Sequence, residues 1–291
     1  MTEVKRQVKK RLKNLQSLPT LPAIVGKLTR MIGDENTTAP QIASLIEKDQ
    51  VLTGKVLKMV NSAFYGFPRR ISTVANAIVL LGFNVIRTLV ITASIFETMQ
   101  SSDLSLWEHS LGTAAAAGLL AQRLGLKNPE EVTTAGLLHD LGKVVIRTEF
   151  PELYKQIREK VVQEKRYFYE AEKEILGLDH GEIGRLLANQ WNLPERLVEP
   201  IAYHHQPEKA RKFKKETAIV HFADIMTRAE DYGSGGDPWV PPLSAWAWKK
   251  LKLTEEDLAE LIPVFEERLL ELRFFTLEMR HENERNRTAT P

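Results

Sequence analysis

Two ionisable residues follow an apolar run in the stretch Ala135-Gly136-Leu137-Leu138-His139-Asp140-Leu141-Gly142-Lys143. The apolar spacing around them predicts that His139 and Asp140 lie on a buried helix. A buried ionisable pair needs a compensating partner, and a divalent cation supplies one. Lys143 lies about one turn further along and returns to the same helix face. The stretch therefore indicates a buried polar site inside a helical protein.

Other histidines and carboxylates stand beside apolar helical segments elsewhere in the chain. His180 follows Asp179, which can cap a helix, and Glu182 occupies the capping-box position of that helix. Asp224 lies in the middle of a predicted helix among apolar neighbours, where a lone carboxylate would be costly. The candidate metal ligands are His109, His139, Asp140, His180, His204, His205 and Asp224. By contrast, His221 and His281 are predicted to be ordinary core or surface histidines.

Helical spacing dominates the chain, and no stretch alternates with the period of two that marks half-buried strands. The predicted class is all-α. Gly82 is predicted to end a helix that Ser72 caps, and Thr254 to begin the last one. A flexible loop is predicted for Tyr232-Gly233-Ser234-Gly235-Gly236-Asp237-Pro238. Further helices are predicted over residues 23–32, 41–47, 51–60, 84–98 and 104–124.

Composition limits the chemistry that is available. Forty basic and thirty-eight acidic residues give a net charge of +2, too balanced for a nucleic-acid binder, so we expect no nucleic-acid partner. The chain has no cysteine, so any metal must be held by histidines and carboxylates. The longest apolar stretch, residues 74–96, contains Asn76, Asn84 and Arg87, each costly in a bilayer. We therefore expect no membrane span, no secretory signal and a cytoplasmic location.

The order of the candidate ligands is a first His, an HD pair, a later His, an HH pair and a final Asp. This order resembles the HD superfamily of metal-dependent phosphohydrolases, and in particular the dinuclear HD-GYP phosphodiesterases. The resemblance implies that one metal is held by His109, His139, Asp140 and Asp224. It implies a second metal, bridged by Asp140 and held by His180, His204 and His205. If the protein is active, the resemblance also makes Asp140 catalytic and places Lys143 on a substrate phosphate.

The N-terminal third narrows the resemblance to one branch. Four segments are similar to the HDOD family: Leu18-Pro19-Thr20-Leu21-Pro22, Ile46-Glu47-Lys48-Asp49-Gln50-Val51-Leu52, Val60-Asn61-Ser62-Ala63-Phe64-Tyr65-Gly66 and Ile71-Ser72-Thr73-Val74-Ala75-Asn76-Ala77-Ile78. The resemblance implies an HD-domain-like multi-helical bundle. An N-terminal helical lobe would span residues 1–100, an HD-like metal-binding lobe 101–230, and a C-terminal loop and helix 231–291. Many members of this family are signalling domains without demonstrated catalysis.

Three functions remain open at this point. The first is a regulator that holds one or two divalent transition metal ions (Fe, Mn, Ni or Zn) and senses a nucleotide, another phosphate-containing ligand or a signalling protein. The second is an active phosphohydrolase or phosphodiesterase, and the third is a structural scaffold for assembly. The residues after the HH pair are Gln206-Pro207-Glu208-Lys209, where the HD-GYP enzymes have Gly-Tyr-Pro. Their absence argues against hydrolysis of cyclic di-GMP.

Overall fold

The computed structural model describes residues 3–14, 23–32, 34, 36–63, 65–100 and 104–288, and within them all regular structure is helical. This confirms the predicted all-α class. A short 3₁₀ turn occupies Pro207–Lys209. The α-helices are α1 (Glu3–Asn14), α2 (Ala23–Ile32), α3 (Ala39–Ile46), α4 (Gln50–Val60), α5 (Val74–Gln100), α6 (Leu104–Arg123), α7 (Pro129–Leu138), α8 (Leu141–Glu149), α9 (Pro151–Glu164), α10 (Phe168–Leu176), α11 (His180–Gln190), α12 (Glu195–Tyr203), α13 (Lys214–Ala229), α14 (Ala245–Leu251) and α15 (Glu255–Thr288).

The helix termini of the N-terminal region follow from local capping. The Asp49 carboxylate accepts a hydrogen bond from Leu52 N at 3.0 Å and so starts α4. Thr73 Oγ1 accepts from Asn76 N at 3.1 Å, so Thr73 caps α5 and the prediction of Ser72 was wrong by one residue. Within α5, Gly82 has a φ of 80° and interrupts the helix, as predicted. The segment 18–22 and Phe64 lie outside the described residues.

The loop after α4 is held on the core by side chains. Asn61 Nδ2 donates to Ile71 O at 2.8 Å, and Asn61 Oδ1 accepts from Ile71 N at 2.7 Å. These two bonds close the loop at its base. Tyr65 is buried, and its hydroxyl lies 3.0 Å from Thr134 Oγ1 on α7. The loop therefore joins the N-terminal helices to the rest of the protein.

The second half of the chain forms a bundle around α6. This helix is buried along most of its length, and its alanines allow α7 and α13 to pack closely against it. Helix α11 packs on α8 and α12. The closest approach in this part is at Gly142, where a Cβ atom would lie 2.0 Å from His180 O. Only glycine fits there, and it brings the starts of α8 and α11 together.

One set of buried apolar residues runs through both halves of the molecule. Helix α5 packs against α6 and α7, and Arg87 on α5 donates to Asn192 O at 2.7 Å. Helix α1 contacts α10 and α11, and its Val8 is buried. The N-terminal helices are thus packed onto the bundle rather than tethered to it.

The last helix begins where the sequence predicts. Thr254 N donates to Asp257 Oδ2 at 2.9 Å, and Asp257 N donates to Thr254 Oγ1 at 3.1 Å, which is a reciprocal cap. Helix α15 then packs against α6. Arg268 on this helix donates to Ala63 O at 2.8 Å, in the loop after α4.

Residues Val74–Ala93 are long and apolar enough to cross a membrane by length and composition alone. In the folded chain, however, 61% of the apolar window in this stretch is buried against other helices. This burial is typical of a core helix, as the sequence predicts for it.

Candidate metal centre

The HD pair lies at a junction between helices. Helix α7 ends at Leu138 and α8 begins at Leu141, so His139 and Asp140 occupy the corner between them. The prediction that both residues lie within a helix was therefore wrong. His139 Nδ1 is 2.7 Å from Gly136 O, to which it donates when protonated, leaving His139 Nε2 to face the centre. The corner aims both side chains into the middle of the bundle.

Two further helices meet the HD pair from one side. His109 on α6 places its Nε2 atom 3.1 Å from Asp224 Oδ1 on α13 and 3.6 Å from Asp140 Oδ2. His139 Nε2 lies 3.4 Å from the same Asp140 oxygen and 4.0 Å from Asp224 Oδ1. We call this group, together with Asp140 Oδ2, the first half of the candidate metal centre.

The second half lies on the other side of Asp140. His180 is the first residue of α11, while His204 and His205 follow the last residue of α12. His180 Nε2 lies 3.1 Å from His204 Nε2 and 2.8 Å from His205 Nε2. The predicted capping box is present: Asp179 Oδ1 accepts from Glu182 N at 2.8 Å, so the start of α11 is fixed. The three imidazoles converge on one point.

Asp140 faces both halves through different oxygens. Its Oδ2 atom points to His109 and His139, and its Oδ1 atom lies 3.1 Å from His180 Nε2 and 4.0 Å from His204 Nε2. Each oxygen of Asp140 thus faces a different half of the candidate metal centre. The structure therefore brings together all seven residues that the sequence singled out as ligands.

The chemistry of the donors fits a transition metal. His109 Nε2, His139 Nε2 and Asp140 Oδ1 are buried, and none of their contacts among the described residues has the geometry of a hydrogen bond. Buried polar atoms without partners are rare in folded proteins and call for an explanation. Three sets of potential ligand atoms, each within 4.8 Å of one another, occur here: His109, His139 and Asp224; His139, Asp140 and His204; and His180, His204 and His205. Imidazole and carboxylate donors without sulfur suit iron, manganese, nickel or zinc.

Burial also sets the protonation of the imidazoles. It lowers the pKa of His109 to about 4 and holds the pKa values of His204 and His205 well below their ordinary value. These three rings are thus neutral, which is the form that binds metals. Burial alone would lower the pKa of His180 too, but the carboxylates of Glu172 and Asp140 together outweigh burial and raise that pKa to about 9.

Glu172 is a residue of the site that the sequence did not single out. It lies on α10 and is fully buried, with Oε2 accepting from His180 N at 2.8 Å and lying 2.6 Å from His180 Nδ1. A carboxylate behind a histidine ligand fixes the ring and strengthens its donor nitrogen. The only available signal was an acidic residue between the apolar residues Phe168, Ala171 and Leu176 of one short helix.

Two cations balance the carboxylates of the first half. Lys143 Nζ lies 2.7 Å from Asp140 Oδ2, which is the contact that the spacing of the two residues predicts. Arg228, one turn after Asp224, places Nε 3.0 Å from Asp224 Oδ1. Burial would raise the pKa of Asp224, but Arg228, His109 and His139 together outweigh burial and hold it well below its usual range. Arg228 was not predicted, although its spacing of four residues from Asp224 is a signal.

A glycine-rich loop covers the first half. We call residues 233–239 the closing loop. Its Gly235 O accepts from Lys143 Nζ at 2.6 Å, and its Asp237 Oδ1 accepts from Arg228 at 3.0 Å. The predicted loop is present, but its packing against the centre was not predicted. With the loop in place, six of the seven candidate ligands are no more than 2% exposed and only His205 is half-buried.

Of the two histidines that the sequence set aside, His221 is not part of the centre. The His221 ring is bonded on both sides: Nδ1 donates to His204 O at 2.6 Å, and Nε2 accepts from Ser244 N at 3.0 Å. His221 is thus a satisfied core histidine, as predicted. The side chain of His281 lies outside the described residues.

Comparison with known proteins identifies the relatives of this chain. A model of the HDOD domain family matches residues 18–207, which includes every candidate ligand except Asp224. An uncharacterized protein from Treponema pallidum is 28% identical over 222 residues, which are 75% of this chain and 43% of that protein. Ribonuclease Y from Thermus thermophilus is 31% identical over 122 residues, 42% of this chain and 16% of the enzyme. The chain thus spans less than half the length of either relative.

Two solved structures share the fold over almost the whole chain. An HDOD domain protein of unknown function from Geobacter sulfurreducens has 31% identity and a TM-score of 0.72, covering 94% of this chain and 97% of that one. A candidate phosphohydrolase from Shewanella amazonensis has 26% identity and a TM-score of 0.70, covering 94% and 98%. The arrangement of helices, the family match and these structures agree, and the chain belongs to the HDOD domain family.

Proposed function

We propose that this chain is a regulatory HDOD domain whose HD-like lobe holds one or two divalent transition metal ions and senses a nucleotide or a signalling protein. The observation that supports this most is the position of Asp140 between two groups of buried histidines. The covered state of the first half favours a sensing domain over an enzyme with a permanently open site. In this proposal the protein acts in the cytoplasm.

Each half of the candidate metal centre would hold one ion. The first ion would be held by His109, His139, Asp140 and Asp224, and the second by Asp140, His180, His204 and His205. Ions bound there would polarise a phosphoryl oxygen and lower the pKa of water. The chain itself supplies orientation through Glu172, and positive charge beside the carboxylates through Lys143 and Arg228.

The second candidate function is a metal-dependent phosphohydrolase or phosphodiesterase. Lys143 favours it, because a buried ammonium group 2.7 Å from the bridging carboxylate is placed to contact a phosphate once Gly235 O moves away. The similarity to a candidate phosphohydrolase and to part of Ribonuclease Y supports the same function. A purely structural role in assembly is the third alternative.

One pair of measurements separates these functions. Metal content is measured by elemental analysis of the chain purified with and without added iron, manganese, nickel or zinc, and turnover is measured with a generic aryl phosphodiester. The regulatory proposal expects bound metal without turnover, and bound metal with turnover favours the enzyme. If the chain binds none of the four metals, the regulatory proposal and the enzyme are both contradicted. The structural role in assembly is then the remaining alternative. Asp140→Ala serves as the control that loses any metal-dependent signal.

A further inference from the structure

The closing loop, residues 233–239, separates the first half of the candidate metal centre from solvent. Gly233 lies so close to α6 that a Cβ atom there would be 2.2 Å from His109 N and 2.4 Å from Ser105 O. Next to it, Ser234 N donates to Ser105 O at 2.9 Å. The loop therefore lies directly on the helix turn that carries His109.

The loop is fastened at its other end by Asp237. One carboxylate oxygen of Asp237 accepts from Arg228, and the other accepts from Phe168 N at 2.8 Å, at the start of α10. Arg228 also donates to Trp239 O at 3.1 Å. Because the same guanidinium group contacts the candidate ligand Asp224, the fastening of the loop and the charge of the first half depend on one side chain.

The composition of the closing loop allows it to move away from the candidate metal centre. Residues 233–238 contribute no large apolar side chain to the core in the described structure, and polar contacts hold them in place. Aromatic residues stand at the two ends: Tyr232, just before the loop, is buried, and Trp239, its last residue, is half-buried. Segments held by few apolar contacts open at lower free energy than helices packed in a core. The loop is thus anchored at both ends by aromatic side chains, while polar contacts alone hold the residues between them.

We infer that the closing loop is a lid, latched by Asp237, that controls access to the first half of the candidate metal centre. In the closed position Gly235 O accepts a hydrogen bond from the Lys143 ammonium group, and the candidate ligands beneath the loop are buried. A phosphate-containing ligand reaches Lys143 only after the loop has lifted. The inference rests on the proposed function for what enters the site, but the opening itself is a property of the chain.

Two variants open the lid in different ways. Asp237→Asn removes the charge that pairs with Arg228. Gly233→Ala changes no charge, but its Cβ atom cannot coexist with His109 N, and this backbone cannot yield. Asp231→Asn is the matched control: it removes one negative charge from an exposed position just before the loop, where asparagine tolerates the φ of 50°.

The test measures the loop and the metal separately. Hydrogen exchange at the amides of Ser234 and Phe168, on the full chain without metal, reports opening. Uptake of Co²⁺, followed by its visible absorption, reports access. We expect both amides to exchange faster than the interior of α6 and α13. We expect Asp237→Asn to accelerate exchange and Co²⁺ uptake by about tenfold or more, because a charge-assisted hydrogen bond is weakened. We expect Gly233→Ala to accelerate both as well, because its Cβ atom displaces the loop from α6. Asp231→Asn should behave as the wild type.

The outcomes are distinct. If the two amides exchange as slowly as the interior of α6 in the wild type and in both variants, there is no lid. If they exchange quickly but no Co²⁺ binds to any form, the lid stands and the proposed metal centre fails. If Co²⁺ binds at the same rate to the wild type and to both variants, the loop does not control access and the inference is overturned.

Discussion

Glu172 Oε2 lies 2.6 Å from His180 Nδ1, and both side chains are fully buried. The contact fixes the ring so that His180 Nε2 points to His204 and His205. We expect Glu172→Gln to weaken binding of Zn²⁺ to the second half by about 10–100-fold, the usual effect of removing a carboxylate behind a histidine ligand. Competition with a chromophoric chelator measures this. Glu170→Gln, on the same helix but half-buried beside Arg166, is the control and should leave the affinity unchanged.

The shared position of Asp140 predicts a difference in metal number between two variants. Asp140→Ala should remove both ions, because one carboxylate serves each half. His205→Ala should remove only the ion of the second half, because the ring of His205 contacts that half alone. Elemental analysis of metal-supplemented protein gives the number of ions per chain. Equal losses in the two variants would show that the halves do not bind separately.

The segment after His205 predicts that cyclic di-GMP is not a substrate. The Gln206-Pro207-Glu208-Lys209 segment contains a 3₁₀ turn over Pro207–Lys209 instead of the Gly-Tyr-Pro loop. We expect no metal-dependent linear product from cyclic di-GMP by chromatography at any of the four metals. Rapid formation of that product would favour the phosphodiesterase function over the regulatory one.

The packing of the N-terminal helices predicts that the HD-like lobe does not stand alone. A fragment of residues 101–291 would lose the contacts of Tyr65 with Thr134 and of Arg87 with Asn192, and would expose the faces of α6 and α7 that α5 covers. Each large apolar side chain uncovered costs about 1.5–3 kcal/mol. The fragment should aggregate or melt well below the full chain in calorimetry. A monomeric fragment with an unchanged Tm would mean that the two lobes are separate domains.

His221 predicts a loss of stability in acid. Burial lowers its pKa below the ordinary value of 6.5, although the bond to His204 O opposes this. The neutral ring therefore stabilises the fold fully above pH 6.5, and this contribution is lost as the pH falls towards the lowered pKa, because the unfolded chain binds the proton first. We expect the difference in unfolding free energy between the wild type and His221→Gln to shrink from pH 7 to pH 5 in urea titrations. A difference that stays constant over this range would contradict the assignment.

The sequence predicted the elements better than their contacts. Apolar spacing and capping residues located most helices, since both are local signals, and the order of histidines and aspartates located the candidate ligands. The HD pair was placed on a helix because apolar residues flank it on both sides, but the chain turns there. Glu172 acts through a tertiary contact with His180, and Asp237 through tertiary contacts with Arg228 and Phe168. Their roles depend on how the helices pack, which residue spacing alone does not give.

The close approach at Gly142 has a consequence for the geometry of the whole centre. Gly142 lies two residues after Asp140, and a Cβ atom there would be 2.0 Å from the carbonyl oxygen of His180, a candidate ligand of the second half. The two groups of candidate ligands are therefore spaced by a close backbone approach that no side-chain rotation can adjust. Gly142 thus acts as a spacer of fixed length. Any side chain at this position would increase the distance between the two groups of histidines that Asp140 contacts.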